Sequence, residues 1–139
     1  MRRQAAPQHL FVYGTLRSEF PHPLARRLSL EARLIGTGSA SGTLYALSHY
    51  PGAIFRPDDR DSVLGEVYAL SRSSRLLAEL DAYEGSLFRR VRIDVRLPSG
   101  RAIEAWSYEL TGAQNPGRRI EGGDFMQHLR RISPRPVRQ

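Results

Sequence analysis

At 139 residues, 40% hydrophobic and 25% charged, the chain has the length and make-up of one globular domain, and no apolar run approaches the roughly 20 residues that span a bilayer. The formal charge is +7 and all 21 basic residues are arginine, which excludes Schiff-base lysine chemistry. No cysteine occurs, so disulfides, thiolate catalysis and cysteine-based zinc sites are excluded together.

The basic balance raises nucleic acid as a partner. Yet Arg2, Arg3, Arg130, Arg131, Arg135 and Arg138 lie in the chain ends, and the rest are dispersed rather than gathered with aromatics into a recognition motif. Neither a specific nucleic-acid partner nor a membrane is expected. The opening MRRQAAP carries charge but no apolar stretch of signal-peptide length, so the expected location is cytoplasmic.

In chain order, HLFVYGTL from His9 reads as a first strand. HPLARRLSLEARLIG starts a helix after Pro23, with Leu24, Leu28 and Leu30 facing inward until Gly36 and Gly38 break it. SGTLYALS and SVLGEVYAL alternate as strands, and HYPGAIFRPDDRD between them carries turn and loop chemistry. SRSSRLLAELDAYEG is a helix opened by serines that can cap it and stopped at Gly85.

The clearest hairpin is RRVRIDVRLPSGRAIEAWSYEL. Val91, Ile93, Val95 and Leu97 alternate with Arg90, Arg92, Asp94 and Arg96, and Pro98-Ser99-Gly100 makes the turn. TGAQNPGRR is a flexible loop, Asp124 caps a short last helix, and residues 133–139 form a frayed basic tail. These elements predict one domain over 1–139 with its core at about 9–130. Its class is α+β, with a largely antiparallel sheet that is either open or curled into a barrel.

One carboxylate stands out. Leu76, Leu77, Leu80 and Tyr83 follow helical spacing, and the next position on that stripe is Glu84. Burial and the negative end of the helix both disfavour its charged form, so its pKa should rise toward the range of a general acid/base. The bland alternative is a frayed helix end, with Glu84 turned to water or paired with Arg89 or Arg90. Asp81 should point elsewhere and stay solvated. Glu66, on a strand face with Leu64, Tyr68 and Leu70, reads more simply as a satisfied structural carboxylate. A Gly-Thr turn after a strand exposes successive backbone N–H groups, which can hold an anion or a developing oxyanion. YGTL is that kind of turn, or an ordinary strand end.

FVYGTLRSE, SGTLYALSHYPG, VLGEVYAL, LLAELDAYEG, FRRVRIDV, AWSYEL and IEGGDF, in this order over residues 9–130, closely resemble the γ-glutamylcyclotransferase-like family, which includes the γ-glutamylamine cyclotransferases and plant AIG2-like proteins. The resemblance implies a small mixed, mainly antiparallel β-barrel with flanking helices. It also implies an enzyme that releases 5-oxoproline from a small γ-glutamyl amine or amino acid without metal or cofactor. By the same resemblance, backbone N–H groups of Tyr13, Gly14, Thr15 and Leu16 cradle the γ-glutamyl group. Glu84 is the catalytic acid/base, and Tyr108 lines the pocket, although a tyrosine there equally suits a core.

The substrate's own α-amine then attacks its γ-carbonyl to close a five-membered ring, so no nucleophilic side chain is required. Two positions depart from the family pattern. A tyrosine four residues after the glutamate is replaced by Phe88, and arginine-x-glycine after the loop is replaced by Arg17-Ser18-Glu19, which puts a carboxylate near the pocket mouth. The alternative reading is a non-catalytic pocket protein of the same fold that binds a small carboxylate.

Overall fold

The longest strand, β2 (Arg33–Ala46), organises the sheet because its two halves pair with different partners. In this computed structural model, residues 7–14, 16–17, 22–47, 50–71, 75–111 and 118–132 are described. From Arg33 to Ser41, β2 runs antiparallel to β4 (Ser62–Ala69); from Gly42 to Ala46 it runs antiparallel to β3 (Pro51–Phe55). Next to β4 lies β1 (His9–Val12), antiparallel to it and parallel to β6 (Ala102–Leu110) through Leu10 and Trp106. β6 forms a hairpin with β5 (Phe88–Arg96), which returns to β2 at Ser39 and Arg96. That contact closes a five-stranded mixed barrel. β3 and the short β7 (Arg118–Arg119) extend from the far half of β2.

Closure depends on close packing at Gly38. A Cβ at Gly38 would fall 2.6 Å from Val95 Cγ1, so any other residue would push β2 off β5.

Among the described residues, three α-helices flank the barrel: α1 (Pro23–Glu31), α2 (Leu76–Glu84) and α3 (Phe125–Ile132). α1 stops sooner than its sequence predicts, and Arg33–Gly36 already belong to β2. Pairing with Tyr68 and Val67 of β4 outweighs local helix propensity there. Leu30, expected to face inward, is 79% exposed; Ala25 and Leu28 fill that role.

A second difference is β3, in a stretch predicted as loop. The N–H groups of Ala53 and Phe55 donate to the Tyr13 hydroxyl and to Glu109 Oε1, each at 3.1 Å. Acceptors on distant side chains make that strand viable, and local sequence does not display them.

The hairpin forms as its alternation predicts, with Phe88 opposite Leu110 and Arg96 opposite Ala102. Asp124 caps α3, accepting from the Met126 N–H at 3.0 Å. The N-cap of α2 is Arg75, with no side-chain cap bond; the capping serines Ser73 and Ser74, the loop 112–117 and the tail 133–139 lie outside the described residues. No helix among the described residues is long and apolar enough to cross a membrane.

β1 lies between two cores, which explains why Leu10 to Tyr13 are all apolar or aromatic. Alternation sends Phe11 and Tyr13 into a cluster with Leu44, Val63, Val67, Val95 and Phe125. Leu10 and Val12 face the other way, packing with Leu28 of α1 and with Leu76 and Leu80 of α2. Each such side chain contributes roughly 1.5–3 kcal/mol on burial. The end of β1 is therefore fixed from both sides.

Candidate active site

Where β1 ends, the chain makes a tight turn in which the Gly14 carbonyl accepts from the Arg17 N–H at 3.0 Å. The large residues on either side anchor this turn. Tyr13 donates its hydroxyl to the Tyr108 carbonyl at 2.7 Å and accepts from the Ala53 N–H, so its ring is fixed inside the barrel. Burial holds its ionisation far above the ordinary range, leaving the hydroxyl a permanent donor. Leu16 packs into the helix-side core. Arg17 is buried and its guanidinium reaches Asp124 Oδ1 at 3.0 Å, which ties the turn to the start of α3. Thr15 and Glu19 lie outside the described residues.

Opposite the turn stands the C-terminal end of α2. Gly85, at φ +67 and ψ −154, holds a positive-φ geometry that glycine adopts readily, and its N–H donates to the Asp81 carbonyl. A short 3₁₀ turn, Gly85–Leu87, then leads into β5. Glu84, the last residue of α2, is partly buried, and desolvation pushes its pKa up to about 7. The two arginines that could have neutralised it are engaged elsewhere. Arg89 binds Glu109 Oε2 at 3.0 Å, and Arg90 binds Asp81 Oδ1 at 2.9 Å.

Between turn and helix end lies a cavity of about 410 Å³. Its buried walls include Phe11, Val12, Tyr13, Leu16, Pro51, Ser107 and Tyr108, and the half-buried Gly14 and Glu84 join them from the turn and from α2. Nearer to solvent, the walls are His22, Tyr50, Tyr83, Leu87 and Phe88. The fold thus brings Tyr13, Gly14, Leu16, Glu84 and Tyr108 onto one cavity. Among the described residues, the N–H groups of Gly14 and Leu16 have no acceptor.

Tyr108 lines the cavity, and its hydroxyl is engaged by α2. The hydroxyl donates to Asp81 Oδ1 at 2.5 Å; Asp81 stays exposed and off the cavity, as expected, and gains this bond besides. Asp81 also receives the Nε and Nη2 of Arg90, whose guanidinium lies 4.3 Å from the centre of the Trp106 ring. Glu66 is buried at 7% exposure, in register with Val12, and does not line the cavity.

Sequence reasoning missed His22, Tyr50 and Ser107. Ser107 donates its hydroxyl to the Phe11 carbonyl at 2.8 Å. The Nδ1 of His22 accepts from the Leu24 N–H at 3.0 Å and caps α1, and its Nε2 lies 2.8 Å from the Tyr83 hydroxyl. Its position immediately before Pro23 was a readable capping signal; its place at the cavity was not. Tyr83, assigned to the buried stripe, is 50% exposed because it stands at this mouth.

The family model for gamma-glutamyl cyclotransferase, AIG2-like proteins matches residues 10–127. The chain belongs to that family. It is 33% identical over 118 residues to the gamma-glutamylcyclotransferase family protein YtfP of Escherichia coli (strain K12), covering 84% of this chain and 95% of YtfP. An AIG2-like protein from Mus musculus shares the fold with a TM-score of 0.65 and 27% identity, over 78% of this chain and 80% of that one. YkqA from Bacillus subtilis superposes with a TM-score of 0.75 at 23% identity, over 94% of this chain. This chain spans 44% of YkqA, and the likeness there is one of fold.

Proposed function

We propose that this family member is a cyclotransferase that converts a small γ-glutamyl amine or amino acid to 5-oxoproline and releases the amine. One observation carries the reading. A carboxyl group whose pKa is pushed to about 7, with no cation paired to it among the described residues, shares a cavity with Gly14 and Leu16 of the turn after β1.

Such a carboxyl is matched to proton transfer at neutral pH. As carboxylate, Glu84 attracts the substrate's α-ammonium and removes a proton from it. The freed amine attacks the γ-carbonyl carbon, and a new C–N bond closes the five-membered ring. Negative charge moves to the carbonyl oxygen, where the N–H groups of Gly14 and Leu16 can receive it. Collapse of this intermediate breaks the original amide C–N bond, and Glu84 returns its proton to the departing nitrogen. The ring nitrogen gives up its remaining extra proton to solvent, and the released amine takes one up. The attack is intramolecular, so orientation substitutes for a protein nucleophile, and effective molarities for well-aligned reactions of this kind reach about 10⁵–10⁸ M.

Phe88 in place of the family's tyrosine fits this scheme without loss. Its ring packs 6.1 Å from that of Tyr50, and the scheme assigns no task to a hydroxyl there. The reading is tested by incubating the protein with a panel of γ-glutamyl compounds and measuring 5-oxoproline. Release from at least one compound supports it, and release from none overturns it.

A further inference from the structure

On the helix side of the β5–β6 hairpin lies a second hollow, of about 430 Å³, lined by Asp81, Phe88, Arg89, Arg90, Trp106 and Tyr108. Phe88 and Tyr108 are walls of both this hollow and the catalytic cavity, so the two adjoin. Two-residue alternation builds it. Phe88, Arg90 and Arg92 share one face of β5, and the register sets Tyr108 and Trp106 of β6 opposite the two arginines.

The arginines lining the hollow bind their carboxylates through the same edge. Arg89 uses Nε and Nη2 on Glu109 Oε2, and Arg90 uses Nε and Nη2 on Asp81. A guanidinium has a second donor edge, Nη1 with Nη2, whose paired N–H groups match the two oxygens of a carboxylate. Among the described residues, Nη1 of Arg89 and of Arg90 has no acceptor. Arg90 is also held in place by the indole. Its guanidinium lies 4.3 Å from the centre of the Trp106 ring, and that of Arg92 lies 5.9 Å from it. Asp81, the described carboxylate on this wall, is already engaged by Arg90 and Tyr108. The rings of Phe88, Trp106 and Tyr108 add flat apolar surface, which suits an aromatic ring.

We propose that this hollow is a second binding site, for a small aryl carboxylate that docks on the open edges of Arg89 and Arg90 and packs its ring against Trp106. The site takes no part in the cyclotransferase scheme, and its existence does not depend on that reading.

Trp106 is the chain's one tryptophan and lines this hollow, not the catalytic cavity. Its indole N–H therefore gives a single resonance in proton–nitrogen correlation spectra. Titrating benzoate into the isotope-labelled full chain at constant ionic strength should shift that resonance saturably, together with the amides of Arg89 and Arg90, and leave the amides of Gly14 and Leu16 in place. Benzoate is expected to bind at least about tenfold more tightly than benzamide, which lacks the charge, and severalfold more tightly than acetate, which lacks the ring. Arg90→Gln should weaken benzoate about tenfold and Arg89→Gln severalfold. The wild-type shift map decides the matter even where a variant fails to fold. No saturable shift at Trp106, shifts centred on Gly14 and Leu16, equal affinity for benzamide or acetate, or unchanged affinity in a folded arginine variant would each overturn the proposal.

Discussion

The Tyr108 hydroxyl lies 2.5 Å from Asp81 Oδ1, three residues ahead of Glu84 on the same helix. Arg90 of β5 grips the same carboxylate through two nitrogens. Together they fasten the end of α2 to the hairpin and set where Glu84 meets the cavity. Tyr108→Phe keeps the ring and removes the clasp. Hydrogen bonds to charged groups contribute about 1.5–3 kcal/mol, and the 41% exposure of Asp81 places this one toward or below the lower limit. The variant is expected to melt slightly earlier and to lose several-fold in kcat with little change in KM, as read by thermal unfolding and steady-state 5-oxoproline release.

Gly14 admits no side chain without displacement. A Cβ there would lie 2.8 Å from Pro51 Cγ, across the narrow gap between the turn and the start of β3. Gly14→Val should push the turn away from Pro51, abolish binding of γ-glutamyl ligands, and cost about 1–3 kcal/mol from overpacking. Gly14→Ala should be milder on both counts. Titration calorimetry on the folded variants checks the ordering; normal ligand binding by Gly14→Val would remove the turn from the site.

Arg17 connects the same turn to α3 through Asp124, which also caps that helix. In a double-mutant cycle of Arg17→Met with Asp124→Asn, the coupling energy should be about 1–3 kcal/mol, because the guanidinium side of the pair is buried. Urea unfolding of the four proteins gives this value directly. Additive effects would show that the pair does not fasten the turn.

Much of this site was legible because its residues obey local rules. Gly85 stops α2, and the stripe Leu76, Leu80, Glu84 follows from helical spacing alone. The hairpin strands β5 and β6 follow from two-residue alternation around Gly100. What stayed hidden depends on contacts between distant segments. β3 needs the Tyr13 hydroxyl and the Glu109 carboxylate as acceptors, and the start of β2 is claimed by β4 against its own helical pattern. His22 and Tyr50 reach the cavity only because α1 and β3 begin beside it. Asp81 is exposed as its spacing predicts, but its bond from Tyr108 stayed hidden because nothing near it in sequence announces that tyrosine.

Stability should carry the signature of the raised Glu84 pKa. The group takes up its proton at about 7 in the folded chain, against 4.5 for an ordinary glutamate. The folded state therefore binds the proton more tightly than the unfolded state, and stability falls as pH rises from 4.5 to 7. Below this window the group contributes nothing, and above it the full cost is about 3 kcal/mol or less. Glu84→Gln escapes the cost. It should match wild type in unfolding experiments near pH 4 and exceed it at pH 8. A constant difference across that range would contradict the raised pKa.

The pH dependence of kcat/KM for 5-oxoproline release, measured for wild type and Glu84→Gln on one confirmed substrate, is the most direct test of Glu84 as the acid/base. Wild type is expected to show a rising limb with its inflection near pH 7, where the carboxylate forms. In Glu84→Gln that limb should vanish and the rate fall by about 10²–10⁴-fold, with the fold and ligand binding retained. A Glu84→Gln protein that keeps both the wild-type rate and the wild-type pH profile would contradict the assignment.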